Sequence, residues 1–157
     1  MKVYLVHHCH ALTAAEDPQR HISQKGREQA DRLGARLHAL GVAPVRILHS
    51  DQQYTADTAQ HIAAKLGAKN KTAQAAYPIN TGGSVEPFMA EIAAAGGDIM
   101  MCGHFEYLGR SASRLVCRDE TRKVVAFKPG NGTLVCIEGE GDKWAITYVW
   151  RQEHAPG

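Results

Sequence analysis

No apolar stretch in this 157-residue chain approaches the length of a membrane-spanning helix, so no membrane association is expected. The four cysteines, Cys9, Cys102, Cys117 and Cys136, form no CxxC pair and no dense framework, which makes reduced thiols the expectation. No Lys/Arg run is dense, none is interleaved with aromatics, and the net charge is only +2, so nucleic acid is not an expected partner. The first apolar run stops at His7, with neither the basic region nor the cleavage site of a secretory leader, and a cytoplasmic protein is expected. Internal repeats and low-complexity tracts are also missing. What remains is ordinary for one globular domain over residues 1–157, with 44% hydrophobic and 22% charged residues. Histidine is the exception. Three of the nine fall within four positions, in "VYLVHHCHA".

The hydrophobic pattern alternates between strand and helix. Lys2–Val6 reads as a buried strand. Ser23 is a candidate N-cap for a helix carrying Ala30, Leu33, Leu37 and Leu40, which Gly41 stops. Val45–Leu48 is a second apolar run, and Thr55–Leu66 reads as a helix followed by Gly67. Ser84 is a candidate cap for a helix carrying Val85, Phe88, Met89 and Ile92, and "DIMMC" reads as another buried strand ending at Gly103-His104, with a short helix beyond. In the last third, "KVVAF", "TLVCIEG" and "WAITYVW" read as strands, with a hairpin turn in "EGEGDK". This order predicts an α/β fold, a three-layer α/β/α sandwich whose central sheet is mostly parallel and closes with an antiparallel hairpin. Functional groups gather at the carboxyl ends of such strands, where His7–His10, Ser50 and His104 all fall.

The segments "VHHCH", "DPQRHIS", "ILHSDQQYTADTA" and "MMCGH", in this order and spacing, resemble the histidine phosphatase superfamily, and more narrowly its small phosphohistidine phosphatase (SixA-like) branch. The resemblance extends to the closing "GNGTLVCIEGEGDKWAITYVW". It implies a nucleophilic histidine at His8, a second pocket histidine at His104, a phosphate-binding arginine at Arg20 and the second-loop serine at Ser50. It also marks departures. The family's strand-1 arginine corresponds to His7, its glycine to Cys9, its acidic residue to His10, its second-loop arginine to Tyr54, and the proline after Arg20 to His21.

Phosphoryl transfer needs fixed positive charge around the equatorial oxygens, and one lost donor costs roughly two to three decades in rate. Two absent arginines therefore predict severely reduced phosphatase activity. Imidazole and thiolate are favoured ligands of zinc, copper and iron, and losing arginine also removes charge repulsion against a cation. The leading expectation is a mononuclear transition-metal site (Cu, Fe or Zn) in a metalloenzyme acting on a small-molecule substrate by redox or hydrolytic chemistry. His8 and His104 are its core ligands. Alternation along an extended chain puts His8 and His10 on one face and favours His8, His10 and His104; the rival set is His7, His8 and His104. Cys9 is a further candidate ligand, Tyr54 a donor over the site, and Arg20, Ser50 and His21 candidate substrate-binding groups. The alternative is a phosphohistidine or phosphomonoester phosphatase with His8 as nucleophile, and the third reading is a non-catalytic anion-binding module. Cys102, Met100 and Met101 read as core; His38, His49, His61 and His154 as surface residues; Glu106 as a helix-start carboxylate within reach of the site; and Gly82-Gly83 and "PGNG" as turns.

Overall fold

The computed structural model describes residues 1–155. Ten regular elements follow in the order β1 (Lys2–His7), α1 (Gln24–Ala39), β2 (Arg46–His49), α2 (Gln53–Leu66), β3 (Thr72–Gln74), α3 (Glu86–Ala94), β4 (Ile99–Gly103), α4 (Phe105–Cys117), β5 (Leu134–Glu140) and β6 (Lys143–Trp150), with two short 3-10 turns. The sheet order is β3-β2-β4-β1-β5-β6. Strands β3, β2, β4 and β1 pair in parallel, while β5 pairs antiparallel with both β1 and β6. The expected mostly parallel sheet with a terminal hairpin is what forms.

The central strands β1 and β4 are buried on both faces, and their alternation sorts side chains between two cores. Val3, Leu5, Ile99 and Met101 pack with Phe88 and Ile92 of α3 and Leu108 and Leu115 of α4. Tyr4, Val6, Met100 and Cys102 pack on the other face with Leu33 and Leu37 of α1 and Ile62 and Ala63 of α2. Hence the three layers.

Helix ends follow local chemistry. Ser23 caps α1 by accepting from the Gly26 amide at 3.1 Å. Gly67 ends α2 in the left-handed region, at φ 65°. Two expectations are corrected. Ser84 is not the cap residue of α3; that is Val85, although the Ser84 hydroxyl accepts from the Glu86 amide at 3.3 Å. "KVVAF" forms no strand: β5 already has partners on both sides, so Val124 and Val125 pack against the α3/α4 core instead. The three-residue edge strand β3 carried no readable alternation. Among the described residues no helix is long and apolar enough to cross a membrane.

Candidate active site

Parallel strands β1, β2 and β4 deliver His7, Ser50 and His104 to one end of the sheet, and a cavity of about 600 Å³ opens there. β1 ends at His7, and the chain beyond it is fastened from several sides. The His8 amide donates to Gly103 O at 3.0 Å, the Cys9 amide to Thr58 Oγ1 of α2 at 3.0 Å, and the His10 amide to Gln29 Oε1 of α1 at 2.9 Å. Because the strand geometry stops here, alternation no longer governs direction. His7 and His8 both face the cavity, with ring centroids 4.3 Å apart, while Cys9 turns inward.

The His8 ring is oriented by Nδ1, 2.8 Å from its neighbour's carbonyl, Cys9 O. A carbonyl can only accept, so Nδ1 carries the proton and Nε2 keeps its lone pair. Burial, followed by the neighbouring His7, lowers the His8 pKa to about 3, so the ring is neutral at pH 7. His7 is lowered to about 4, chiefly by burial. Its Nδ1 lies 2.9 Å from His8 O and 3.1 Å from the Gly130 amide. These contacts are alternatives, one for each tautomer. His104 is the N-cap residue of α4, its ring centroid 5.7 Å from that of His8. Its Nε2 is 3.2 Å from Ser50 Oγ, which meets Thr55 Oγ1 at 2.7 Å, and burial lowers its pKa as well.

Tyr54, in the first turn of α2, has its ring centroid 4.3 Å from that of His8 and also lines the cavity. The Arg20 guanidinium sits over the Tyr54 ring at 4.8 Å, its Nε donating to Leu12 O at 3.0 Å. Arg20 occupies the left-handed region at φ 54°, a costly conformation for a non-glycine that surrounding contacts must hold. Asp57 of α2 is the principal clamp: Oδ2 accepts from the Ile22 amide at 3.0 Å and from His21 Nδ1 at 2.8 Å.

Several expected site residues are placed elsewhere. The Cys9 thiol is fully buried in the core among Ile22, Ala30 and Tyr54, outside the cavity wall, and burial pushes its pKa up to about 12. His21 is taken by Asp57 and Gln19 and lines no part of the cavity. His10 does line the cavity, but at its exposed rim, its Nδ1 2.7 Å from Ser23 Oγ. The same-face argument for His8 and His10 thus fails, and the imidazoles whose rings gather are His7, His8 and His104. Among the described residues, however, no three His, Cys, Asp or Glu side chains are grouped to hold a metal ion. Ser50 supports His104 from behind and is not itself in the wall. Glu106 lines a neighbouring groove and not this cavity. Sequence reasoning missed Asp51, Asn80, Thr81, Phe105 and Gly130, all in the wall. They are loop or helix-start residues with no periodic signal; only the turn glycines of "PGNG" hinted at them.

A family model described as histidine phosphatase superfamily (branch 1) matches residues 3–82. No curated protein matches the sequence. Among solved structures, the chain is similar to the protein histidine phosphatase SixA complexed with tungstate (TM-score 0.81, 16% identity, 96% of this chain and 97% of that one). It is also similar to a mycobacterial glucosyl-3-phosphoglycerate phosphatase (TM-score 0.71, 14% identity, 93% and 96% covered). A third is the alpha-ribazole phosphatase from Shigella flexneri (TM-score 0.71, 14% identity, 94% and 95% covered).

Proposed function

Because the chain belongs to the histidine phosphatase superfamily, we propose that its cavity binds a phosphoryl group and that His8 removes it through a covalent phosphohistidine. The observation that carries this reading is the 2.8 Å contact between His8 Nδ1 and Cys9 O, which leaves a neutral Nε2 lone pair at the cavity wall. Nε2 attacks phosphorus, and the P–O or P–N bond to the leaving group breaks. The leaving group departs with that electron pair and takes up a proton. Water then cleaves phospho-His8, releasing phosphate and restoring the ring. The named activities of the structural neighbours, on protein histidine, α-ribazole and glucosyl-3-phosphoglycerate phosphates, have the phosphoryl group in common. A small phosphate ester or a phosphohistidine is the substrate class this supports.

Charge limits the rate. Arg20 is the only Lys or Arg in the wall among the described residues, and Asp51 opposes it. A bound dianion draws protons onto neutral His7 and His104, and protonated His7 then stands in for the arginine that the family resemblance leads one to expect at its position. The test is hydrolysis of an aryl phosphate with a metal chelator present, alongside acid-quenched trapping of phospho-His8. Slow turnover that disappears in His8→Asn supports the reading; no phosphoenzyme and no turnover overturn it.

A transition-metal ion on His7, His8 and His104 is the second reading. It is favoured by the contacts of both His7 and His8 Nδ1 with carbonyl oxygens, the arrangement that orients imidazole ligands. His104 must first leave Ser50 for the three nitrogens to converge. Stoichiometric copper, iron or zinc in protein purified without a His tag, lost in His8→Ala/His104→Ala, supports it, and metal-free protein that turns over removes it.

A further inference from the structure

A second concavity, a groove of about 760 Å³, adjoins the active-site cavity. It runs between α4 and the irregular segment that precedes β5, and Phe105 lines both spaces. We propose that this groove holds the leaving group of the phosphoryl substrate, and that this group is an uncharged apolar chain or ring. The inference rests on the phosphoryl-transfer reading of the cavity and adds the class of substrate.

Phe105 is 52% exposed, an uncovered aromatic ring standing 6.2 Å from His7 at the boundary between the two spaces. A substrate whose phosphoryl group meets His8 must pass this ring to reach the groove. The opposite wall carries Val124, Val125 and Phe127. Gly109 lies mid-way along α4, where glycine weakens a helix relative to alanine. Packing does not require it: a Cβ there meets nothing within 4 Å, and its φ is not in the left-handed region. Its effect is to leave the groove open.

Most of the charges bordering the groove are answered among the described residues, and the two that are not, Glu106 and Lys123, are of opposite sign. Arg110 Nη1 lies 3.7 Å from Glu120 Oε2, and Arg122 Nε 3.3 Å from Asp119 Oδ2. Arg110 Nη2 also donates to Thr81 O at 3.0 Å and Gly83 O at 2.8 Å, joining the groove to the loop that forms part of the cavity wall. With Arg110 and Arg122 engaged, and Glu106 and Lys123 offsetting each other in sign, the groove keeps no concentration of one charge beside its apolar wall, which favours an uncharged occupant over an acidic peptide.

The test uses methyl-, butyl- and hexylphosphonate, non-hydrolysable probes titrated by calorimetry against the whole chain. Affinity is expected to rise about threefold to fourfold for each methylene that enters the groove. In Gly109→Phe, which fills the open floor, the ratio of hexyl to methyl affinity is expected to collapse toward one. Phe105→Ala is expected to lower the same ratio, and thermal melts of each variant verify folding. If methylphosphonate binds but chain length has no effect, the apolar subsite is wrong while the phosphoryl reading stands. A chain-length effect that survives in both variants also overturns it. If methylphosphonate does not bind at all, the phosphoryl reading itself falls and takes this inference with it. If a second copy of the chain covers the groove, sedimentation shows a dimer and chain length again has no effect, which overturns the proposal.

Discussion

Burial decides the chemistry of the imidazoles before any ligand arrives. Where β1 ends, His7 is 2% exposed, and the loss of water around it favours the neutral ring. This preference has a stability consequence. The ordinary histidine value is 6.5 and the folded value about 4, so between these the unfolded chain binds more protons. The contribution of His7 is complete above pH 6.5 and lost as pH falls toward 4. Its share is about 3 kcal/mol, at ~1.4 kcal/mol per unit. His8, lowered further, adds to the same slope. Denaturant unfolding at pH 7.5, 6 and 5 is expected to show constant stability above pH 6.5 and a steepening loss below it. A His7→Gln variant is expected to show a shallower acid slope; an unchanged slope contradicts the burial argument. The pairing of His8 with His104 was legible from the sequence, because each lies just beyond the end of a strand. Which of His7 and His10 joins them was not. Two-residue alternation applies only while the chain is extended in a sheet, and here the sheet ends one residue too early for it.

The elements matter to the site through their fastenings. Arg20 is in no helix or strand, and its guanidinium reaches the cavity because α2 holds the segment around it. Asp57 accepts from the Ile22 amide and from His21, and its Oδ1 accepts from Gln53 Nε2 at 2.8 Å. Removing the carboxylate leaves a backbone donor without its partner, at a cost of about 1–3 kcal/mol, and frees the strained Arg20 conformation to relax. Asp57→Ala is therefore expected to weaken sulfate binding at least several-fold and to lower stability by about 1–2 kcal/mol. A parallel titration of Asp57→Asn, which keeps one carbonyl acceptor, is expected to recover part of the affinity. If Asp57→Ala loses stability but binds sulfate normally, Asp57 is structural only and does not position Arg20. Long elements such as α1 were legible because a cap, a period and a stop agreed. "KVVAF" misled because strand propensity is local, whereas a place in a sheet depends on a free edge, and β5 offered none. The clamp by Asp57 was not legible for a related reason: it joins positions 35 residues apart with no motif between them.

At the scale of the molecule, three parallel strands place their carboxyl ends side by side, and the loops beyond them close a cavity around one arginine, one aspartate and the neutral imidazoles of His7, His8 and His104, with His10 at its exposed rim. Such a site binds an anion weakly unless protons come with it. Sulfate tests this cleanly, because its charge does not change across the useful pH range. Coupling to His7 or His104 means that sulfate affinity falls as pH rises from 6 to 8, by up to about tenfold per pH unit for each proton taken up. An anion bound only by Arg20 shows no such dependence. Binding to the folded state alone also stabilises the whole chain, by about 2.7 kcal/mol when sulfate is at one hundred times its dissociation constant. For a chain of this length that corresponds to a rise of roughly 5–10 °C in Tm. The rise is expected at pH 6, to shrink at pH 8 at the same sulfate concentration, and to vanish in Arg20→Met. Equal shifts at both pH values remove the imidazoles from anion binding. A shift that survives Arg20→Met places the anion somewhere other than this cavity.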